Sequence, residues 1–206
     1  MKLINVFSVV MVVAVVSFLG FVVENVWLAI TKGYIDNRNM CLPFLLGYGL
    51  AMFLIYIILG TPKKLWIFGK TIFIQSKVLK FIVYFVGVMI CVSLGEIILG
   101  TFVEKVCNFY WWDYSRLPMH ITRYTSIPTS TMFSALIYIF MDEIFQPLYY
   151  YFQDWSFESL KKYALMLGLL MSVDFVYNSY KMYKMHGIVR RWKINIRKNN
   201  KSVQTA

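Results

Sequence analysis

Long apolar segments that hold very few charges are the feature that most restricts how this chain can fold. Residues 3–30 carry one charged side chain, Glu24, and four later segments carry at most two each. A helix needs about 20 apolar residues to cross a bilayer, and a segment in lipid must bond its backbone internally. The sequence therefore predicts an all-α, polytopic transmembrane helix bundle of about five spans. The predicted spans are residues 3–30, 42–60, 81–103, 132–152 and 163–180.

Positive charge is concentrated outside the predicted spans. The 206 residues contain 21 Lys and Arg against 10 Asp and Glu, for a net charge of +11. We divide the chain into a transmembrane domain, residues 1–180, and a basic C-terminal tail, residues 181–206, which we expect to lie near anionic lipid headgroups. The sequence shows no recognisable base-reading module, so we expect no nucleic-acid partner.

The loops give conflicting signals about orientation. The totals of Lys and Arg favour a cytoplasmic C-terminus, whereas Lys2 and the five lysines of residues 61–80 favour the reverse. Residues 61–80 place those lysines around short apolar pieces, which predicts an interfacial amphipathic loop rather than a span. The orientation therefore stays open.

Several kinds of site are not indicated. The three cysteines, Cys41, Cys91 and Cys107, show no C-x-x-C spacing, and two histidines are too few for a histidine-rich metal site. No metal and no other cofactor are predicted. The chain contains no GxxxxGK[ST] phosphate loop, so we do not expect it to hydrolyse ATP as a P-loop enzyme.

Acidic residues in the predicted spans are the main sign of a functional site. Six of the ten acids lie within spans or at their ends: Glu24, Glu96, Glu104, Asp142, Glu143 and Asp174. A carboxylate at a helix centre in lipid costs about 2.5 to 3.5 kcal/mol, so such residues usually face the bundle interior. If the spans alternate in direction, Glu24, Glu96, Glu104 and Asp174 lie near one membrane face. The loops at that face carry Arg38, Arg116, His120 and Arg123.

These groups have two interpretations that the residues leave open. Arginines and carboxylates that converge on one face can form a polar pocket, because the guanidinium fork matches a carboxylate or a phosphate. The candidate pocket residues are Glu24, Arg38, Glu96, Glu104, Asp113, Arg116 and Arg123. Alternatively, buried ion pairs hold helices in register without binding a ligand. Asp142 and Glu143 point about 100° apart on a helix, which disfavours a proton shared between them. No catalytic residue is assigned.

Three sequence blocks resemble a known membrane protein family. The first is SFLGFVVENVW, which contains Glu24, and the second is DNRNMCLPFLLGYGLA, which contains Arg38 and Tyr48. The third, GEIILGTFVEKVCNFYWWDYSRLPMHITRY, carries a Glu-x7-Glu-Lys span end followed by Trp-Trp-Asp-Tyr-Ser. Over about residues 17–143, these blocks resemble the putative ABC-transporter type IV, or CmpB, family. The chain departs from the family pattern where Asn39 replaces a glycine, Leu46 a proline and His120 an asparagine.

The resemblance implies a permease-like membrane subunit that offers a polar pocket to an unknown substrate, with any ATPase being a separate protein. Two other classes stay open. One is an intramembrane or interfacial lipid-modifying enzyme with Glu96 or Asp113 as acid or base, which the absence of an H-E-x-x-H or serine-elbow motif disfavours. The other is a small membrane scaffold or regulator. The expected location is a bacterial plasma membrane, crossed several times, with the lipid bilayer as partner and a homo-oligomer as an open option.

Overall fold

Five helical segments account for most of the computed structural model, which describes residues 5–196. They are α1, Val6–Lys32; α2, Leu46–Leu59; α3, Lys77–Cys107; α4, Ile127–Ile139, continued by α5, Phe145–Gln153; and α6, Phe157–Met185. A π-helical turn, Phe140–Ile144, joins α4 to α5. The prediction of a mostly helical fold is therefore confirmed.

The helical segments coincide with the predicted spans apart from differences of several residues at their ends. By length and composition, α1 and α3 are long and apolar enough to cross a bilayer, and α2 is a shorter apolar helix of 14 residues. The count of five spans and the boundary at residue 180 stay predictions. The predicted first span starts at residue 3 and the predicted tail runs to residue 206. Residues 3–4 and 197–206 of those predictions lie outside the described residues.

Local sequence signals set the ends of the long helices. The Asn5 side chain caps α1 by accepting a hydrogen bond from the backbone N–H of Phe7 at 3.0 Å. Gly33 ends α1 and Asn108 ends α3, both in the left-handed region of backbone conformation. A capping oxygen satisfies an N–H group that the helix start leaves free, while Gly and Asn adopt positive φ at low cost. These signals explain why α1 and α3 end where the predicted loops begin.

Short antiparallel strand pairs form in the connections. Strand β1, Tyr34–Asp36, pairs with β6, Lys193–Asn195; β2, Trp66–Ile67, pairs with β3, Lys70–Thr71; and β4, His120–Thr122, pairs with β5, Thr125–Ser126. The His186 ring also contacts the Cys107 carbonyl oxygen at 2.8 Å, which joins the ends of α6 and α3. We call the end formed by residues 33–45, 108–126 and 186–196 the polar end, and the end formed by residues 60–76 the hairpin end.

Two segments have more structure than their composition indicates. Residues 61–80, predicted as an amphipathic loop, contain the β2–β3 hairpin and the first turn of α3, which begins at Lys77. The basic tail, predicted from its charge, contains β6 and pairs with β1. Backbone hydrogen bonds hold both segments, and a pattern of mixed charge does not reveal such bonds.

The core lies around α1, which packs against α2, α5 and α6, while α3 packs mainly against α4. Gly49 permits a close approach of α2 to α1, because a Cβ atom there would lie 2.4 Å from the Val13 carbonyl oxygen. Small residues allow such contact between helix backbones. This packing brings the end of α1, the start of α2 and the loop between them together at the polar end.

Candidate functional site

Glu24, near the end of α1, is held by two donors at the polar end. The Arg38 Nη2 group donates a hydrogen bond to Glu24 Oε2 at 2.8 Å, and the Tyr48 hydroxyl donates to Glu24 Oε1. The Arg38 and Glu24 side chains are 26% and 23% exposed. Charge-assisted hydrogen bonds of this kind are stronger than neutral ones, particularly away from bulk water. Together, the bonds from Arg38 and Tyr48 to Glu24 join the connecting loop and α2 to α1 at one point.

A tight turn presents Arg38 to this point. Arg38 and Asn39 have φ values of 46° and 67°, both in the left-handed region. Asp36 Oδ1 accepts a hydrogen bond from Arg38 N at 2.9 Å, and the Asn25 side chain accepts one from Asp36 N at 2.8 Å. Asn tolerates positive φ better than most residues, so Asn39 adopts a conformation suited to the glycine of the family pattern.

Glu96 of α3 and Tyr114 complete the group. The surroundings of the Glu96 carboxylate include the Thr125 hydroxyl and the Glu24 carboxylate. Tyr114 lies near Glu96, Glu24 and Arg38. Burial raises the pKa of Tyr114, and the carboxylates of Glu96 and Glu24 raise it further, so its hydroxyl stays protonated. We call Glu24, Arg38, Tyr48, Glu96 and Tyr114 the inner cluster.

Hydroxyl groups support Glu96 from the side of α4. The Thr125 and Ser130 hydroxyls lie 3.0 Å apart, and the Ser93 hydroxyl donates to Ser130 at 3.0 Å. Thr125 and Ser130 are almost fully buried. Buried hydroxyls normally find partners, and here they find one another in a short chain that ends beside Glu96.

Two polar atoms of the inner cluster are buried without a hydrogen-bond partner among the described residues. They are Arg38 Nε, a donor, and Glu96 Oε2, an acceptor. Leaving such a group unpaired costs about 1 to 3 kcal/mol, and more when the group is charged. Asn39 Oδ1, in the same turn as Arg38, is also unpartnered. The inner cluster can therefore donate one further hydrogen bond, from Arg38 Nε, and accept another, at Glu96 Oε2.

Among the described residues, the side chains of the other predicted pocket residues form no hydrogen bond or ion pair with the inner cluster. Glu104 accepts a hydrogen bond from the Tyr124 hydroxyl, and burial together with Glu104 raises the pKa of Tyr124 to about 12. Asp113 and Arg123 are exposed and 3.8 Å apart, while Arg116 is exposed and forms no ion pair within residues 5–196. Of the seven predicted residues, the structure brings Glu24, Arg38 and Glu96 together.

The outer residues form a solvated rim. Hydrogen bonds from Ser115 lower the pKa of Asp113, and the nearby Arg123 and Arg116 lower it further. The Arg123 guanidinium lies 4.0 Å from the centre of the Tyr110 ring, and its interaction with Tyr110 raises the pKa of Arg123. Exposed ion pairs of this kind contribute little to stability, and dissolved salt readily screens them.

Sequence reasoning did not assign Tyr48, Tyr114 and Asp36 to the pocket. Tyr48 and Tyr114 both lie in the blocks that carry the family resemblance, which was the available signal. Asp36 is the first residue of the second block, but its role depends on the turn that brings Arg38 back toward it. From sequence alone, a tyrosine in an apolar segment is interpreted as an interfacial aromatic residue, because the hydrogen-bond partner of its hydroxyl is not known.

Asp174 of α6 forms a separate, fully bonded group. Its two carboxylate oxygens accept hydrogen bonds from Cys41 N and Leu42 N, both at 3.0 Å, and Asn178 Nδ2 donates to Oδ1 at 2.7 Å. Asp174 and Asn178 are four residues apart, so they are neighbours on one face of α6. This carboxylate anchors the loop before α2 to α6.

The basic tail is anchored to the same loop. The Asn37 amide donates to the carbonyl oxygens of Met40 and Val189, each at 3.0 Å, and its oxygen accepts from Arg191 N at 2.9 Å. Arg190 Nε lies 3.4 Å from Asp36 Oδ2. Asp36 therefore contacts both the tail and Arg38, whose Nη1 lies 3.8 Å from Asp36 Oδ1.

Comparison with known proteins gives the family directly. The model of the family described as "Putative ABC-transporter type IV" matches residues 11–179, which extends beyond the three blocks noted above. No curated protein and no solved structure matches the chain significantly. Within the described residues, no group of three or more His, Cys, Asp or Glu side chains could hold a metal ion. The chain belongs to the putative ABC-transporter type IV family.

Proposed function

We propose that this chain is a multi-pass membrane component of a transport system and that its polar end holds the site for the transported compound. Membership of the putative ABC-transporter type IV family supports the transport role. The length and apolarity of α1 and α3 support insertion into a cell membrane. The five helical segments support five crossings, with the polar end at one membrane face and the hairpin end at the other.

Apolar stripes on the outer faces of the helices support contact with lipid. On α3, Leu94, Ile98 and Phe102 recur every four residues and are each more than half exposed. Leu169 and Val173 form a similar stripe on α6. In water, stripes of this size would promote association, whereas hydrocarbon tails cover them at no cost.

The observation that carries the proposal is the incomplete bonding of the inner cluster. A group that serves only to hold helices together satisfies its polar atoms, as Asp174 does with two backbone N–H groups and Asn178. Arg38 Nε and Glu96 Oε2 are buried and unpartnered. Charged residues retained in this state within a membrane protein commonly mark substrate or ion pathways.

The energy source in this proposal is a separate protein. The 206 residues contain no phosphate loop of the P-loop type, so the chain would supply the membrane passage and a partner subunit would hydrolyse ATP. The partner would dock on the cytoplasmic face, and the exposed cations of the tail, such as Arg191 and Lys193, are suitable contacts for an acidic surface.

Extraction and co-purification test this function. A tagged chain should stay in the membrane pellet after alkaline carbonate treatment, and mild detergent extraction should recover a nucleotide-binding protein in fixed proportion to it. Harsh detergent, which separates subunits, provides the matched control. Release by carbonate would contradict membrane insertion, and repeated recovery of the chain alone from mild detergent would contradict the subunit role.

A further inference from the structure

The inner cluster has properties that restrict the chemistry of its ligand, provided that the proposed function holds and the cluster is a binding site. We propose that the cluster binds a small protonated amine that also carries an oxygen acceptor. The amine would donate a hydrogen bond to Glu96 Oε2, and the oxygen would accept one from Arg38 Nε. Within the inner cluster, these are the two atoms that are buried and have no hydrogen-bond partner among the described residues.

The balance of charges favours a cationic group on the ligand. Arg38 contacts Glu24 at 2.8 Å, and Arg190 lies 3.4 Å from Asp36, so two cations offset two anions. Glu96 is the remaining acidic group, and no cation lies within 4.0 Å of it among the described residues. A bound anion would place a negative charge beside this unpaired carboxyl in a half-buried site. An ammonium group would neutralise the site instead.

The hydrogen-bonding capacity also separates primary amines from quaternary ones. Glu96 Oε2 is an acceptor and needs an N–H donor, which a quaternary ammonium lacks. Arg38 Nε is a donor without an acceptor among the described residues, so an oxygen on the ligand would give it a partner while Arg38 Nη2 stays bonded to Glu24. An amino alcohol meets both needs, and so does the ethanolamine headgroup of a phospholipid. The two sources share this chemistry and differ in the rest of the molecule.

Lipid and soluble sources can be distinguished by the membrane used. The purified full chain would be placed in nanodiscs of phosphatidylcholine, whose quaternary headgroup has no N–H donor. Ethanolamine would then be titrated while the thermal unfolding midpoint, Tm, is recorded, with choline, ethylene glycol and sodium sulfate as control probes. A second set of nanodiscs would contain phosphatidylethanolamine.

We expect ethanolamine to raise Tm saturably in phosphatidylcholine, whereas choline, ethylene glycol and sulfate do not. If the headgroup of a lipid is the ligand, phosphatidylethanolamine should raise Tm by itself and abolish the response to added ethanolamine. Either result supports the proposal and identifies the source. A response to sulfate that exceeds the response to ethanolamine would overturn it and indicate an anion site.

Two variants and a control locate the response. Glu96→Gln should weaken amine binding at least tenfold, because it removes the charge that attracts the ammonium group. Arg38→Lys keeps a cation beside Glu24 but lacks Nε, and it should weaken binding about fivefold. Glu143→Gln changes an exposed carboxylate in the π-helical turn between α4 and α5, and it should leave binding unchanged. If Glu96→Gln does not fold, Arg38→Lys decides the result.

Equal amine binding by the parent chain and a folded Glu96→Gln variant would overturn the proposal, as would the absence of any response to ethanolamine and phosphatidylethanolamine. This failure is distinguishable from failure of the proposed function. A chain that resists carbonate extraction and co-purifies with an ATPase, but binds neither amine probe, remains a transport subunit with a different ligand.

Discussion

Carboxylates at the two ends of the bundle have different surroundings. At the polar end, Asp174 is 6% exposed and accepts hydrogen bonds from two backbone N–H groups and from Asn178. Toward the hairpin end, the Glu143 side chain is 67% exposed, and its oxygen lies 4.0 Å from Lys63 Nζ. Asp174 therefore binds buried donors at the polar end, whereas Glu143 faces solvent toward the hairpin end.

Order at the hairpin end comes from backbone geometry rather than from charge. Gly60 has φ of 73° and ψ of −138°, a conformation that is essentially restricted to glycine. Its carbonyl oxygen accepts a hydrogen bond from the buried Tyr84 hydroxyl at 3.1 Å. The Trp66 indole donates to the Ile57 carbonyl oxygen at 2.9 Å. Charged side chains therefore hold the fold together where they meet buried partners, as Asp174 does, and contribute little where both members of a pair are exposed.

Gly60 is the position at which backbone geometry is expected to matter most. Gly60→Ala should destabilise the chain by about 4 kcal/mol, since it adds backbone strain and a steric clash. The added Cβ atom would lie 2.5 Å from the Lys64 carbonyl oxygen. Unfolding in mixed detergent micelles measures the change. Gly69→Ala is the control, because Gly69 also has positive φ but open space around it, and about 1 kcal/mol is expected. Equal costs for both would show that the clash is unimportant.

The next effect tests the bonded carboxylate of the polar end. Asp174→Ala should cost about 3 kcal/mol, because it leaves the N–H groups of Cys41 and Leu42 without their acceptor. The same unfolding measurement applies, and Asp154→Ala, at an exposed position, should change stability by less than about 0.5 kcal/mol. If Asp174→Ala lowered the free energy of unfolding by no more than the control does, the distinction between the two ends would be removed.

A smaller effect is expected where the tail meets the polar end. Asn37→Ala should cost about 2 kcal/mol, since three hydrogen bonds of a buried amide are lost. The released tail should also be cut faster by trypsin after Arg190 and Arg191, which limited proteolysis detects. Asn195→Ala is the control, because this exposed residue pairs with β1 through its backbone. An unchanged cleavage rate in Asn37→Ala would contradict the anchoring role.

The smallest effect is expected for the exposed ion pair. Lys63→Ala should change the free energy of unfolding by about 0.5 kcal/mol or less, because solvent screens both side chains. Lys63 Nζ also donates to the Asp142 carbonyl oxygen at 2.6 Å, a group that water can reach after the substitution. A loss comparable to that of Asp174→Ala would mean that the hairpin end also depends on charge.

The sequence predicted the helices well and the partners of the charged residues only in part. Apolar runs located all five helical segments, and alternation of the spans placed Glu24, Glu96, Arg38 and Asp174 at one end. The inner cluster itself includes only three of the seven predicted pocket residues. Asp113, Arg116 and Arg123 lie in the loop between α3 and α4, and all three are exposed.

Apolar runs in the amino-acid sequence specify where helices form, because the apolarity of a segment and its internal backbone hydrogen bonds are local properties. Carboxylates inside those runs also show in the sequence that they need partners. The identity of the partners depends on how the whole chain folds. Arg38 reaches Glu24 through two residues with positive φ, and Asn37 meets Val189 from 152 residues away. Such contacts depend on loop conformation and chain return, which no periodicity in the sequence encodes.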